Sequence, residues 1–136
     1  MLLKGSQALA LLVVAVLALA GCATKGSTFG MQPVPITDFK MVAGKWSGPV
    51  TGISANRDDW ADMTITPEGR FDFGIARTIG VFSGGGPLTL ADGKMQGRGE
   101  RGSIVYTLYQ SGDRRLLKGD ATLSDGRQVS ATLSPR

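Results

Sequence analysis

From Lys45 onward, apolar and polar side chains alternate with a period of two, and this pattern leaves little room for anything but strands. Trp46, Gly48 and Val50 alternate with Lys45, Ser47 and Pro49. Met63 and Ile65 alternate with Thr64 and Thr66, and Phe71, Phe73 and Ile75 with Asp72, Gly74 and Ala76. Ile104, Tyr106 and Leu108 form another row, with Val105, Thr107 and Tyr109 opposite; Val129, Ala131 and Leu133 form the last. Successive strand side chains point to opposite faces, so each row commits one face to a core. Between rows stand turns of one form, an acid, then Gly, then a cation: Glu68-Gly69-Arg70, Asp92-Gly93-Lys94 and Asp125-Gly126-Arg127. Ser111-Gly112-Asp113-Arg114 is a variant. Gly supplies the positive φ of a tight hairpin, and Asp bonds its own backbone. These are repeated hairpin solutions and not a duplicated domain.

The pattern predicts strands at about 45–53, 60–66, 70–77, 79–83, 87–91, 94–99, 103–110 and 115–123, with a ninth at 127–133. A helical turn or two near Asp38–Val42 precedes it. Short links between sequential strands favour an antiparallel up-and-down meander, and closure into a barrel removes the exposed edges. The expected fold is therefore all-β, a small barrel of about eight strands. Only 93 residues run from Gly44 to Arg136, so side chains should nearly fill the interior.

The first 37 residues are of another kind. MLLKGSQ carries one positive charge, residues 8–20 are wholly apolar, and Ala20 and Gly21 are small. A charged start, a short apolar centre and a small-residue end describe a secretory signal, one too short to serve readily as a bilayer span. The competing reading is a retained anchor. Leu19-Ala20-Gly21-Cys22 resembles the lipobox of bacterial lipoproteins at every position. The resemblance implies cleavage before Cys22, a diacylglycerol on its thiol and an acyl chain on the new amine. Several chains anchor stably where one does not, at ~0.8 kcal/mol per buried CH₂. It also implies, from Ala23 after the cysteine, an outer-membrane address where the cell has one. The expected division is a signal peptide at 1–21 with an isolated helix at about 4–20, a lipidated Cys22 with a flexible tether to 37, and a domain from 38 to 136. Pro33 and Pro35 favour extension, and fifteen residues span ~50 Å at most.

Asp38-Phe39-Lys40-Met41-Val42-Ala43-Gly44-Lys45-Trp46 resembles the first motif of lipocalins, in the wider calycin group. The likeness covers about nine residues, and Ser47 stands where the family usually has an aromatic. It implies that a short helical turn leads through Gly-x-Trp into the first strand, and that Trp46 closes the barrel floor, often stacked on an arginine. Arg127 is one candidate for that arginine.

Chemistry is sparse. The chain has no His and one Cys, so it lacks the usual general base, the usual zinc ligand and any internal disulfide. Beyond Cys22 stand 14 of the 15 basic side chains against 11 acids, a mild and interspersed excess that gives no sign of nucleic-acid binding. Gly97-Arg98-Gly99-Glu100-Arg101-Gly102 matches G-x-G-x-x-G, but a strand pattern follows where a dinucleotide site needs a helix, so a Gly-rich loop is expected. Ser83-Gly84-Gly85-Gly86-Pro87 lacks the Lys of a phosphate loop and reads as a flexible connection or a flap. Asp58, Asp59 and Asp62 offer oxygens to calcium, but without the Gly and bidentate Glu of an EF-hand they read as a solvated loop. No metal, cofactor or catalytic residue is assigned, and an enzyme is not expected.

Three functions remain open at this point. The first is a binding module that holds a small apolar ligand among Trp46, Phe71, Phe73 and Tyr106. The second is a protein-interaction lipoprotein, an envelope-assembly accessory or an inhibitor of a secreted enzyme, with an apolar patch or long loop near 53–62 or 80–87. The third is a structural envelope lipoprotein without a ligand.

Overall fold

A computed structural model describes residues 28, 30–77 and 80–136. Cys22 and the helix expected at 4–20 lie outside them. The described chain is all-β, a closed antiparallel barrel of eight strands with one further strand attached. Strand β1 (Gln32–Val34) and a 3-10 turn at Phe39–Met41 precede β2 (Gly44–Thr51), β3 (Asp59–Ile65) and β4 (Arg70–Arg77). Then come β5 (Gly80–Ala91), β6 (Lys94–Gly99), β7 (Gly102–Ser111), β8 (Arg114–Leu123) and β9 (Gln128–Pro135). Strands β2 to β9 each pair with the next, and β9 pairs back onto β2 to close the ring.

The expected strands appear with three differences. The segments expected at 79–83 and 87–91 are a single strand of 12 residues. Ser83–Gly86 is therefore no flexible connection: it pairs residue by residue with Phe71–Gly74 of β4. Ladder hydrogen bonds need only backbone, so a side-chain pattern does not register them. The ninth row, at 127–133, is the strand that closes the barrel. Third, the stretch expected as tether to residue 37 is folded from Met31 onward. β1 pairs with the end of β7 (Val34↔Leu108), next to the part of β7 that β6 covers. The Ile36 amide donates to the Gly93 carbonyl at 2.8 Å, and Met31 and Ile36 are buried.

Hairpins set the register. Asp92 and Gly93 both have positive φ (54° and 75°) in the two-residue link between β5 and β6, the backbone of a primed turn. The strands run up and down, so the molecule has two ends. At the floor sit the 3-10 turn and the links 66–69, 92–93 and 112–113; at the mouth sit the loop 52–58 and the links 100–101 and 124–127.

The floor end is solid. Asp38 caps the 3-10 turn by accepting from the Lys40 amide at 2.9 Å. Val42, Trp46, Ile65, Met95, Leu108 and Leu117 are fully buried behind it. Trp46 donates its indole N–H to the Val42 carbonyl at 2.8 Å. The arginine that lies over its ring is Arg115 of β8, 5.1 Å from the centroid. Arg127 is instead engaged with Asp125 in the β8–β9 link, at the other end of the barrel. The β8–β9 hairpin turns at the mouth, which carries Arg127 away from the Trp46 end.

Candidate functional site

Above this floor the interior opens into a cavity of about 410 Å³ that reaches the mouth, a volume within the range of small-molecule sites. The prediction of a nearly filled barrel thus holds for one half of it. The reason is the placement of glycine. Phe73 is directly opposite Gly84, and Tyr106 is opposite Gly119. A Cβ on Gly84 would come 2.9 Å from the Phe73 ring, one on Gly97 2.9 Å from Phe71, and one on Gly119 2.9 Å from Tyr106. Each of these three inward glycines receives an aromatic ring, so the rings lie along the wall and leave space in the middle.

The rings form a continuous path. Phe71 meets Tyr106 edge-on with centroids 6.1 Å apart and stacks on Phe73 at 5.9 Å. Phe73 meets Phe82 of β5 at 5.9 Å, and the Arg101 guanidinium lies 4.3 Å above Phe82 at the rim. Such contacts fix ring orientation and add to the free energy of burial. Burial pushes the Tyr106 phenol well above its ordinary pKa of 10.0, so it stays neutral.

Phe71, Phe73 and Tyr106 all line the cavity, whereas Trp46 does not. Trp46 lies in the floor, with its one polar atom already bonded. Pattern reading missed Phe82, Ile104 and Ala121, which also line the wall. The alternation of Ile104 with Tyr106 carried that signal for one of them. Phe82 falls in the Gly-rich segment, where the rows are short.

The mouth is cationic. Arg77, Arg98, Arg101 and Arg127 line it with a single carboxylate, Glu100. Arg127 is bound to Asp125 at 2.8 Å. Its backbone N–H, then its side chain, hold the Asp125 carboxyl below the usual range. Arg77, Arg98 and Arg101 have no carboxylate within ion-pair distance among the described residues. The segment Gly97–Gly102 is the β6–β7 hairpin and forms part of this rim.

The aspartates expected in one solvated loop are divided. Asp59 is buried, accepts from the Ser54 hydroxyl at 2.7 Å and faces the Arg57 guanidinium at 3.6 Å. Asp62 points outward and binds Arg136 at 2.8 Å. Among the described residues no three metal-ligating side chains come together, and no helix is long and apolar enough to cross a membrane.

Two large apolar side chains are exposed among the described residues, Trp60 (50%) and Val81 (73%). They share one row of the outer wall, Trp60 opposite Ala76 and Ala76 opposite Val81.

No family model, no curated protein and no solved structure matches the chain.

Proposed function

We propose that this is a lipid-anchored envelope protein of a bacterium whose barrel binds a small apolar ligand without transforming it. The observation that carries the ligand reading is the aromatic-walled cavity of about 410 Å³ open at one end. The lipid anchor rests on the Leu19–Cys22 sequence. In this reading the signal is removed, Cys22 bears the lipid, and the residues up to Gly30 are the spacer.

The test uses the full chain in phosphatidylcholine vesicles and a photoreactive acyl chain. Saturable labelling of β4 and β7, lost in Phe73→Arg, is expected. Labelling that never saturates, or that Phe73→Arg leaves intact, overturns the ligand reading. A diacylglycerol thioether on Cys22, found by mass spectrometry and lost in Cys22→Ser, is the outcome expected for the anchor.

One observation favours the protein-interaction reading instead, the exposed row Trp60–Ala76–Val81. Exposed apolar side chains in contact with one another mark docking surfaces more often than single ones do. Cross-linking from position 81 in intact envelopes, weakened by Trp60→Glu, would support it.

A further inference from the structure

We infer that the ligand is an anionic amphiphile, with its apolar tail in the cavity and a carboxylate or phosphate head held at the mouth by Arg77 and Arg101. This rests on the cavity being a ligand site and adds the chemistry of the occupant. The argument begins with the gradient along the barrel. The interior wall is built from Phe71, Phe73, Ile75 and Tyr106, which offer an occupant apolar surface and one neutral hydroxyl. The charged lining residues gather at the rim, four arginines and one glutamate.

Their pairing decides which of them remain for a ligand. Arg127 already holds Asp125. Arg57 faces the buried Asp59. Arg77 continues the inward register of Phe71, Phe73 and Ile75 on β4, which brings it to the rim above the cavity. Arg101 stacks on Phe82, the last ring of the aromatic path. Among the described residues the arginine side chains that hydrogen-bond to protein are those of Arg115, Arg127 and Arg136, so the N–H donors of Arg101 remain for a carboxylate or phosphate. Glu100, on the same rim, repels any anion, a doubly charged head twice as strongly as a singly charged one. A neutral apolar ligand would gain nothing from these arginines and would have to leave them solvated at the mouth.

Full chain in phosphatidylcholine vesicles tests this, with a diazirine-bearing C16 carboxylate, the matching C16 alkyl phosphate and the C16 alcohol. Both anions are expected to label β4 and β7 at concentrations about tenfold lower than the alcohol, equivalent to ~1.4 kcal/mol. In Arg77→Gln/Arg101→Gln that preference should vanish while labelling by the alcohol is unchanged. A carboxylate preference without a phosphate preference would assign the head as carboxylate, and the reverse as phosphate. Equal labelling by all three probes would overturn the anionic head and leave the apolar site standing. No saturable labelling by any probe would overturn the site itself. Arg98 lies on the outward register of β6 and is left unchanged; Lys94→Gln, at the floor end of that strand and away from the cavity lining, is the control for general loss of positive charge, and an equal effect there would remove the specific role of Arg77 and Arg101.

Discussion

The Arg115 guanidinium lies 5.1 Å from the centroid of the Trp46 ring and donates to the Met41 carbonyl at 2.9 Å. One side chain of β8 thereby covers the tryptophan of β2 and holds the end of the 3-10 turn that plugs the floor. Trp46→Ala is expected to cost about 3–5 kcal/mol, the usual loss for a buried tryptophan. Arg115→Ala should cost ~1–2 kcal/mol, from a cation–π contact and one charge-assisted hydrogen bond. The two changes together should cost less than their sum, because each removes the same contact. Urea denaturation of the four proteins measures this coupling, and strict additivity would show that the stacking contributes nothing.

Two inward glycines should respond differently to alanine. At Gly119 the new Cβ meets Tyr106 at 2.9 Å and Ile104 at 3.0 Å, and Tyr106 is fully buried, so about 1–3 kcal/mol of overpacking is expected. At Gly84 it meets only the far edge of the Phe73 ring, which borders the cavity and has space to turn into it. The strain there is offset by the ~0.5–1 kcal/mol gained when a strand glycine is replaced. Gly84→Ala should therefore stay within about 1 kcal/mol of the parent but bind an acyl probe more weakly. Equal destabilisation at both sites would contradict the cavity geometry.

Tyr106 sets an alkaline limit. Its folded pKa is raised by burial above the 10.0 of the free phenol, so above that pH the unfolded chain gives up a proton that the folded chain keeps. The stability tied to this group is complete below pH 10.0 and falls above it, by at most ~1.4 kcal/mol per pH unit. Tyr106→Phe should flatten that limb relative to the parent. Stability measured against urea between pH 8 and pH 11 (roughly the reach of the phenol transition) would reveal an unchanged slope if the phenol were solvated.

Asp59 secures the long loop at the mouth. It is 4% exposed and takes a hydrogen bond from Ser54 at 2.7 Å while facing Arg57. Asp59→Ala removes a hydrogen bond to a charged acceptor and should cost about 1–3 kcal/mol. Hydrogen exchange should accelerate first in 52–58, with the floor strands unchanged. Uniform acceleration throughout the barrel would mean that Asp59 supports the whole fold and not this loop.

The sequence alone determined the all-β class, the antiparallel meander and the hairpin turns. Those depend on side-chain alternation and on residues such as Asp92 and Gly93, whose preferences act within a few positions. It also singled out Phe71, Phe73 and Tyr106, because inward register is a local property. The role of Trp46 was legible through its motif, but its arginine was not. Arg115 and Arg127 look alike in a list of residues, and only the alternation of hairpins between floor and mouth tells them apart. The strand through Gly84, Gly85 and Gly86 was invisible, because a backbone ladder leaves no mark on a sequence without side chains. The buried Asp59 was hidden for a similar reason, since a charge tolerates burial only where a folded loop supplies its partners. The cavity belongs wholly to the tertiary structure. Whether a glycine opposite an aromatic yields a filled core or an open one depends on how many such pairs the closed barrel brings to the same level, and that is fixed only when β9 meets β2.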